Sequence, residues 1–440
     1  MIRSFKWLLS YQLVRLLVGF FLGTWVARVL GPAQFGVLAT AAAVGTIAGC
    51  AVELGMRQLL LRELGRRKRI ASLVAGTVFK LWLAMGLLAC TGMAVWNAMT
   101  GTLPWMVLGA TMAPLVLTSL TLHNNWEEAC HRAFVSSRNN MAGYLVAAVA
   151  RLACVLWFPT VAAVTWTFAA EIVIAGGLGA WTSHRRGRGW WPRGWDSRVA
   201  RAFLSRGVVL VIGQAGTLLL LRVDTVMIQA MRGDVEAGIY GAAVRLSEVV
   251  YLLAPLVLTV LLPRLSQLLK KHDEMHFRDL ARRGSELMVI LSLGSAVGLL
   301  VGGPLAVRWL YGPRFAASTP VLLVHCLSVI PYFQMEWRYA VMVTRDRAAV
   351  TAWLSWLALV VNVVLNWCWI PAHGALGAAW ATLIGYTVSG LLATWLVPDL
   401  RWFALSQVQA LAAPFRWLMQ PRRTWPLLLD LLRRHTAATS

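Results

Sequence analysis

The chain has 440 residues, of which 59% are hydrophobic and only 13% are charged. Its mean hydropathy of +0.65 is too high for a soluble globular protein. The formal net charge of +23 raises the question of nucleic-acid binding, which the distribution of that charge argues against.

Apolar runs of about twenty residues recur along the chain, the length that crosses about 30 Å of hydrocarbon as a helix. The runs lack the period-two alternation of a barrel strand, so they are predicted to be helices. The first run is full length and contains Arg15, which favours a retained span over a cleaved signal. Twelve spans are predicted, at 7–30, 37–61, 71–96, 103–122, 141–159, 162–182, 208–231, 238–262, 284–303, 317–334, 349–370 and 374–397.

The lysines and arginines fall almost entirely on one side of these predicted spans. If both termini are cytoplasmic, 31 of the 41 lie in inward segments, three in outward loops and seven within spans. Segments rich in Lys and Arg stay on the cytoplasmic side, so the bias predicts this orientation. A basic surface facing anionic inner-leaflet lipids accounts for the net charge without nucleic acid.

One helix–turn–helix pattern occurs twice, 202 residues apart and without a gap. The matched residues are Gly31 with Gly233, Gly36 with Gly238, Ala41 with Ala243 and Gln12 with Gln214. Six spans separate the copies, an even number, so both cross in the same direction, as in a parallel repeat. We therefore predict an all-α integral membrane protein whose twelve transmembrane helices form two six-helix lobes related by this internal repeat.

The repeat also predicts the domain organisation. An N-terminal lobe is expected at 1–183, a basic cytoplasmic linker at 184–206, a C-terminal lobe at 207–397 and a basic amphipathic cytoplasmic tail at 398–440. In each lobe a glycine, Gly31 or Gly233, permits a tight outer turn, and Gly36 or Gly238 allows close helix entry. Pro255 interrupts the hydrogen bonding of its span and is a candidate hinge.

The six cysteines are scattered in or beside the apolar runs. They show no CxxC or Cys/His ligand spacing, so we interpret them as small packing residues. The sequence predicts no metal site and no cofactor.

Four stretches of the chain carry a recognisable pattern: Ala27–Ala39, Arg222–Leu268, Leu310–Leu322 and His373–Gly385. They resemble one family of transporters, the Wzx-type polysaccharide-lipid flippases of the multidrug/oligosaccharidyl-lipid/polysaccharide exporter superfamily, and run in the expected order over nearly the whole chain. In that family a basic-x-Asp in span seven precedes a G…AGIY-x-A-A-x-R-L turn and a helix ending in P-x-L. Relatives such as the lipid II flippases carry fourteen spans, and the additional pair that accommodates lipid there is missing from the twelve predicted spans.

The resemblance implies a MATE-like, lipid-flippase fold. It also implies a flippase that moves an undecaprenyl-diphosphate-linked oligosaccharide from the cytoplasmic to the periplasmic leaflet by alternating access, for O-antigen, exopolysaccharide or capsule assembly. The expected location is the bacterial inner membrane, with both termini cytoplasmic. The implied partners are the lipid-linked oligosaccharide, membrane lipids, H⁺ or Na⁺ as coupling ion and the polysaccharide polymerase and chain-length machinery.

Charged side chains deep in a bilayer cost roughly 2.5–3.5 kcal/mol each on insertion scales, so they usually face a polar cavity or a partner. Positions set by a rise of about 1.5 Å per residue place more cations than anions at depth. An excess of cations suits a diphosphate, because arginine holds phosphate through two parallel hydrogen bonds. A cavity for cationic drugs would instead present unpaired carboxylates.

Two roles are predicted for these charges. The candidate contacts to diphosphate or sugar are Arg15, Lys80, Arg151, Arg222 and Arg245. The candidate ion-coupling or structural acids are the deep Glu171, Asp224 and Glu248, together with Glu53, which lies nearer the end of its span. Arg222 and Asp224 are two residues apart on a helix and face different ways, so they are not expected to pair. Ion pairs within a helix, of Glu53 with Arg57 or of Arg245 with Glu248, remain an alternative, and Lys80 has an equal alternative in a partner across the bundle.

Two other functions remain open from the sequence. The first is a drug or cation antiporter of the same superfamily, which the excess of deep cations argues against. The second is a polymerase, ligase or glycosyltransferase, which needs a substantial outward loop with catalytic acids or histidine. The longest predicted outward segment, Gly303–Thr319, contains no acid, so no catalytic residue is predicted.

Overall fold

The structure is a computed structural model that describes residues 2–53, 55–66, 71–187 and 194–419. Within these ranges every regular element is helical. Part of the predicted linker, 188–193, and the last part of the predicted tail, 420–440, lie outside the described residues.

The helices are long and follow one another with short connections. The α-helices of the described chain are α1 (Ile2–Glu53), α2 (Met56–Arg66), α3 (Ala71–Thr100), α4 (Trp105–Leu117), α5 (Leu122–Ala129), α6 (Ala133–Trp157), α7 (Val161–His184), α8 (Ser197–Arg232), α9 (Asp234–Tyr251), α10 (Leu253–Lys270), α11 (Glu274–Ala306), α12 (Ser318–His325), α13 (Val329–Thr344), α14 (Ala348–Thr387), α15 (Arg401–Ala410) and α16 (Ala413–Met419).

Ten helical segments of the described chain are long and apolar enough to cross a membrane. Two of them, Lys6–Leu64 with 59 residues and Ala348–Leu396 with 49 residues, are far too long for one crossing, because a straight helix of 50 residues rises roughly 75 Å. Each contains a glycine outside the helical conformation, Gly31 with φ 76° and Gly374 with φ 56°. Each long segment therefore supplies two crossings, which gives the twelve predicted spans.

The two predicted copies of the outer turn share one backbone conformation. Gly31 has φ 76° and ψ 171°, and Gly233 has φ 86° and ψ −176°. Side chains with a Cβ rarely adopt positive φ, so a glycine is required at both positions. The repeat seen in the sequence is thus a repeat of local geometry.

A helix break lies beside Pro255. Helix α9 ends at Tyr251 and α10 begins at Leu253. Proline has no N–H to donate to the carbonyl four residues earlier, which here is that of Tyr251. The break is located where the sequence predicts a weak point, and motion about it stays a prediction.

The chain forms two compact units. Unit 1 comprises Met1–Leu218, Gln229–Gly238 and Leu310–Arg314. Unit 2 comprises Leu219–Ile228, Ile239–Trp309 and Phe315–Ser440. The predicted lobe boundaries stay a prediction.

One hydrophobic cluster of unit 1 is built around the short helix α2. Its residues Met56, Leu60 and Leu64 recur every four positions and are buried, because this spacing places them on one helix face. They lie in one cluster with Val78 of α3 and Phe203 of α8. This packing holds α2 against α3 and α8.

Unit 2 has its core between α11 and α13. The Cζ2 atom of Trp337 lies where a Cβ on Gly284 would be, 2.0 Å away, so only glycine lets the indole approach. The indole Nε1 donates a hydrogen bond to the carbonyl of Ala281 at 2.8 Å. The buried Phe403 of α15 belongs to the same core. The described start of the predicted tail is therefore packed against the helices of unit 2.

Candidate functional site

The charges predicted at depth fall into two groups, one in each unit, and the group in unit 2 contains Arg222. Arg222 of α8 donates from Nη1 to Glu248 of α9 at 2.9 Å. Both side chains keep part of their surface open, 34% for Arg222 and 26% for Glu248. An arginine paired on one side and open on the other can still hold an anion.

Asp224, two residues further along α8, has a different environment. It is 2% exposed, and its carboxylate accepts hydrogen bonds from Tyr240 at 2.7 Å, from Asn366 at 2.6 Å and from Thr382. These three donors are neutral and come from α9 and α14. The expected separation of Arg222 from Asp224 is what the structure shows.

The surroundings of Asp224 are rich in oxygen atoms. The amide oxygen of Asn366 is buried and has no hydrogen-bond partner within the described chain. A buried carboxylate with only neutral partners is stable when it is protonated or neutralised by a cation. Carboxylate, amide and hydroxyl oxygens are ligands that hard cations accept. This cluster can therefore bind a proton or a small hard cation.

Three tyrosine rings pack against one another in the same unit. The rings of Tyr251 and Tyr332 stack with centroids 3.9 Å apart, and Tyr386 lies tilted against both, at 6.5 and 5.9 Å. The Tyr332 side chain is also hydrogen-bonded to Glu336 on the next turn of α13. The three rings are buried and belong to the hydrophobic core of unit 2.

Arg338 is a charged residue that lies outside the twelve predicted spans. It is fully buried, and Nη2 donates to the hydroxyl of Ser389 at 3.1 Å. Its Nε and Nη1 atoms have no partner in the ranges that the structure describes. The predicted span ends at 334, whereas the apolar segment Ser318–Thr344 continues well past that point. The sequence does indicate this longer helix, because no proline or glycine interrupts the run from 334 to Thr344. The charged residues Glu336 and Arg338 lower the hydropathy there and hide the continuation of the span.

In unit 1, Arg15 of α1 lies beside Glu171 of α7. Its Nη2 atom is 3.9 Å from Glu171 Oε1, and Nη1 donates to the hydroxyl of Tyr11 at 2.8 Å. The Arg15 side chain is 54% exposed. The hydroxyl of Tyr144 donates to the Arg15 carbonyl at 3.1 Å, which fixes this turn of α1 against α6.

Arg151 of α6 faces the same acid from a buried position. It is 6% exposed, donates from Nε to Thr167 at 2.9 Å and lies over the ring of Phe168 at 3.9 Å. Both arginines act electrostatically on Glu171. The structure therefore brings Arg15, Arg151 and Glu171 together, with Arg15 the more open cation.

Two further cations, Lys80 and Arg245, are predicted to contact the substrate. Lys80 is exposed on α3, and Arg245 is half-buried on α9. Their predicted roles as substrate contacts stay predictions.

The arrangement around Glu53 differs from a helix-internal ion pair. Helix α1 ends at Glu53, and Gly55 has φ 60° before α2 begins at Met56. Arg57 instead donates to Glu128 at 2.7 Å and to Asn125 at 3.1 Å, both on α5. An i,i+4 pair needs a continuous helix, and here the helix is broken between the two residues.

The second pair of repeated glycines, Gly36 and Gly238, lies at a reciprocal contact within unit 1. A Cβ on Gly36 would lie 1.8 Å from the carbonyl oxygen of Asp234, and a Cβ on Gly238 would lie 1.9 Å from that of Pro32. Pro32 and Asp234 are themselves 202 residues apart. The two copies of the turn therefore contact each other through equivalent atoms, as around a local two-fold axis.

Two family models match the chain, each over more than half of its length. The model described as "Polysaccharide biosynthesis protein" matches residues 1–269. The model described as "Lipid II flippase MurJ" matches residues 143–412.

One curated relative is the "Probable flippase AglR" of Haloferax volcanii. It is 28% identical over 182 residues, which cover 40% of this chain and 37% of that protein. The match thus spans little more than a third of the relative's length.

Two solved structures show the same fold. "Lipid II flippase MurJ, inward closed conformation" has a TM-score of 0.70 at 12% identity and covers 93% of this chain and 92% of that chain. An inward-facing "multidrug resistance MATE family transporter of the MOP superfamily" has a TM-score of 0.63 at 13% identity and covers 91% and 95%. At such identities the likeness establishes the fold, that of an all-α membrane transporter.

Proposed function

The chain belongs to the polysaccharide biosynthesis protein family of lipid-linked oligosaccharide flippases, within the MOP superfamily, and from this premise we propose its substrate. The proposed substrate is an undecaprenyl-diphosphate-linked oligosaccharide, carried from the cytoplasmic to the periplasmic leaflet of a bacterial inner membrane by alternating access. The transported oligosaccharides serve O-antigen, exopolysaccharide or capsule assembly.

One observation carries this proposal: two deep arginines keep open surface although each has an acid beside it. Arg15 is 54% exposed and Arg222 is 34% exposed. They lie 16 and 11 residues from the glycine turns of their helices, or roughly 24 and 16 Å along the axis. An open guanidinium at that depth favours water or a polar ligand over lipid. A diphosphate offers the acceptors that match it.

The acids beside the arginines reduce the net positive charge of the site when no substrate is bound. Glu248 and Glu171 each lie within 4.0 Å of an arginine, so the resting charge is partly balanced. Incoming diphosphate binds the N–H groups that these carboxylates leave open. Because the guanidinium charge is already partly balanced, binding stays weak enough to be reversed on the far side, which a transporter needs.

We further propose that Asp224 is the coupling site for H⁺ or Na⁺. Its three neutral donors and the unpartnered Asn366 amide oxygen support this. Because Asp224 and Arg222 are two residues apart on α8, a change in occupancy of one is transmitted along a single helix turn to the other.

The decisive experiment is deletion of the gene in its native host, followed by analysis of the lipid-linked glycans. Accumulation of intermediates on the cytoplasmic leaflet, reversed by the wild-type gene, is the expected result. Normal surface glycan in the deletion strain would reject the proposal. A parallel drug-resistance assay separates export of glycan from drug or cation antiport, for which the deletion strain would become hypersensitive.

A further inference from the structure

A cavity of about 120 Å³ lies in unit 1, where the end of α1 meets α2 and α8. Its lining includes Glu53, Arg57, Gln58, Leu210, Val211 and Gln214. At roughly 30 Å³ per water, the cavity holds about four waters. That is room for the hydroxyl-bearing edge of one sugar ring.

The lining combines a carboxylate with two carboxamides. Glu53, Gln58 and Gln214 are all exposed to this space. The guanidinium of Arg57 is engaged by Glu128 and Asn125, so the cavity is not dominated by a free cation. Carboxylate oxygens accept hydrogen bonds, and carboxamides both donate and accept them. Such a set matches hydroxyl groups, each of which is a donor and an acceptor at once.

Apolar side chains complete the wall. Leu210 and Val211, both on α8, border the polar residues. Leu210 packs closely against the turn at Gly55, since a Cβ placed on Gly55 would lie 2.9 Å from the Cβ of Leu210. A sugar ring has apolar C–H faces between its polar edges. A cavity with polar groups on one side and aliphatic groups on another suits that shape better than it suits a bare ion.

The cavity also lies at the end of α1 where the lipid-linked sugar is expected to enter the protein. Glu53 is 22 residues from the turn at Gly31, or about 33 Å along the helix axis. This is the thickness of the hydrocarbon core, so the cavity lies near the face opposite to that turn. The charge bias assigns this face to the cytoplasm.

We propose that this cavity is a sugar subsite, in which Glu53, Gln58 and Gln214 bind hydroxyl groups of the glycan next to the diphosphate. This inference rests on the proposed function and adds a determinant of glycan recognition that is separate from the arginines. The sugar is recognised on the loading side, before the carrier lipid crosses.

The test uses the full-length purified protein in detergent or nanodiscs and two defined probes. One is undecaprenyl diphosphate, and the other is the same lipid bearing a single N-acetylhexosamine. Binding is measured for the wild type, Glu53→Gln and Gln214→Ala. Gln12→Ala is the matched control, because Gln12 is the repeat equivalent of Gln214 and does not line the cavity.

The expected result is about tenfold weaker binding of the sugar-bearing lipid by Glu53→Gln and threefold to tenfold weaker binding by Gln214→Ala, with undecaprenyl diphosphate unaffected. Gln12→Ala should match the wild type. Unchanged affinity for the sugar-bearing lipid in both variants would overturn the subsite, as would an equal loss for both lipids. If the wild type binds neither lipid, the proposed function itself fails. Thermal unfolding of each variant establishes that it is folded.

Discussion

Arg222 is held on one side and open on the other. Its pairing with Glu248 at 2.9 Å fixes the guanidinium, and about a third of the side chain remains exposed. The planar fork of arginine can therefore keep its acid partner while its other N–H groups bind phosphate oxygens. A lysine at this position has one compact charge and cannot do both with the same geometry.

We expect Arg222→Ala to reduce glycan export at least about tenfold at normal protein level, since a hydrogen bond to a charged group is worth roughly 1.5–3 kcal/mol. Arg222→Lys should recover only part of that activity. Export is measured as surface glycan in a deletion strain that expresses each variant, with membrane protein quantified in parallel. Wild-type export by Arg222→Ala would remove this residue from the site.

For Asp224 the expected effect is on ion dependence. Asp224→Asn keeps a side chain of the same shape among Tyr240, Asn366 and Thr382 but removes the charge. We expect binding of undecaprenyl diphosphate to lose its response to Na⁺ or to pH in this variant, while the wild type retains it. Thr259→Ala on α10, whose hydroxyl bonds only its own helix within the described chain, serves as control. An unchanged ion response in Asp224→Asn would exclude the coupling role.

Residue-level prediction succeeded where the helix itself decides the outcome. That Arg222 and Asp224 would face different ways follows from helix periodicity alone. The partners could not be predicted, because Glu248 reaches Arg222 from α9 and Glu171 reaches Arg15 from α7. The break at Gly55 removed the continuous helix that a Glu53–Arg57 pair needs. Which helices become neighbours is a property of the packed structure and is not visible in spacing.

At the scale of elements, the reciprocal contact between Gly36 and Gly238 is the most constrained feature. Each glycine receives a backbone carbonyl oxygen where a Cβ would be, at 1.8 and 1.9 Å. Backbone atoms cannot rotate away as a flexible side chain can, so any larger residue forces the two turns apart.

Gly36→Ala is therefore expected to destabilise the protein by about 1–3 kcal/mol, the usual range for overpacking. The variant should unfold at a lower temperature and export less glycan. Gly213→Ala is the matched control, because no described atom lies within 4 Å of a Cβ there and alanine favours helix. If Gly36→Ala unfolds at the wild-type temperature, the close contact does not hold the two turns together.

Elements were predicted well where hydropathy and glycine act together. The longest helical segment is divided into two spans at Gly31, the predicted turn glycine. The second longest is divided at Gly374, where hydropathy alone predicted the boundary. Hydropathy was a poorer guide at α13, which continues to Thr344 through Glu336 and Arg338. A window that penalises charge ends the span at 334, although the helix remains buried in unit 2, where Trp337 and Arg338 are fully covered.

For the molecule as a whole, the charge distribution predicts the orientation in the membrane. The lysines and arginines lie almost entirely on the side of the predicted spans that also holds both termini. Similarity of fold does not show which side of the membrane each loop faces. The distribution of charge does, because cationic loops are retained on the cytoplasmic side. The loading side of the proposed sugar subsite depends on the same orientation.

Cysteine labelling tests that orientation directly. In a variant without the six native cysteines, Ala316→Cys in the predicted outward segment should react with a membrane-impermeant thiol reagent in intact spheroplasts. Lys271→Cys, in the predicted inward loop between α10 and α11, should react only after the membrane is permeabilised. Both side chains are exposed, so burial does not prevent reaction. The reverse pattern would place Glu53 and its cavity at the periplasmic face, and the sugar subsite would then act in release of the glycan rather than in loading.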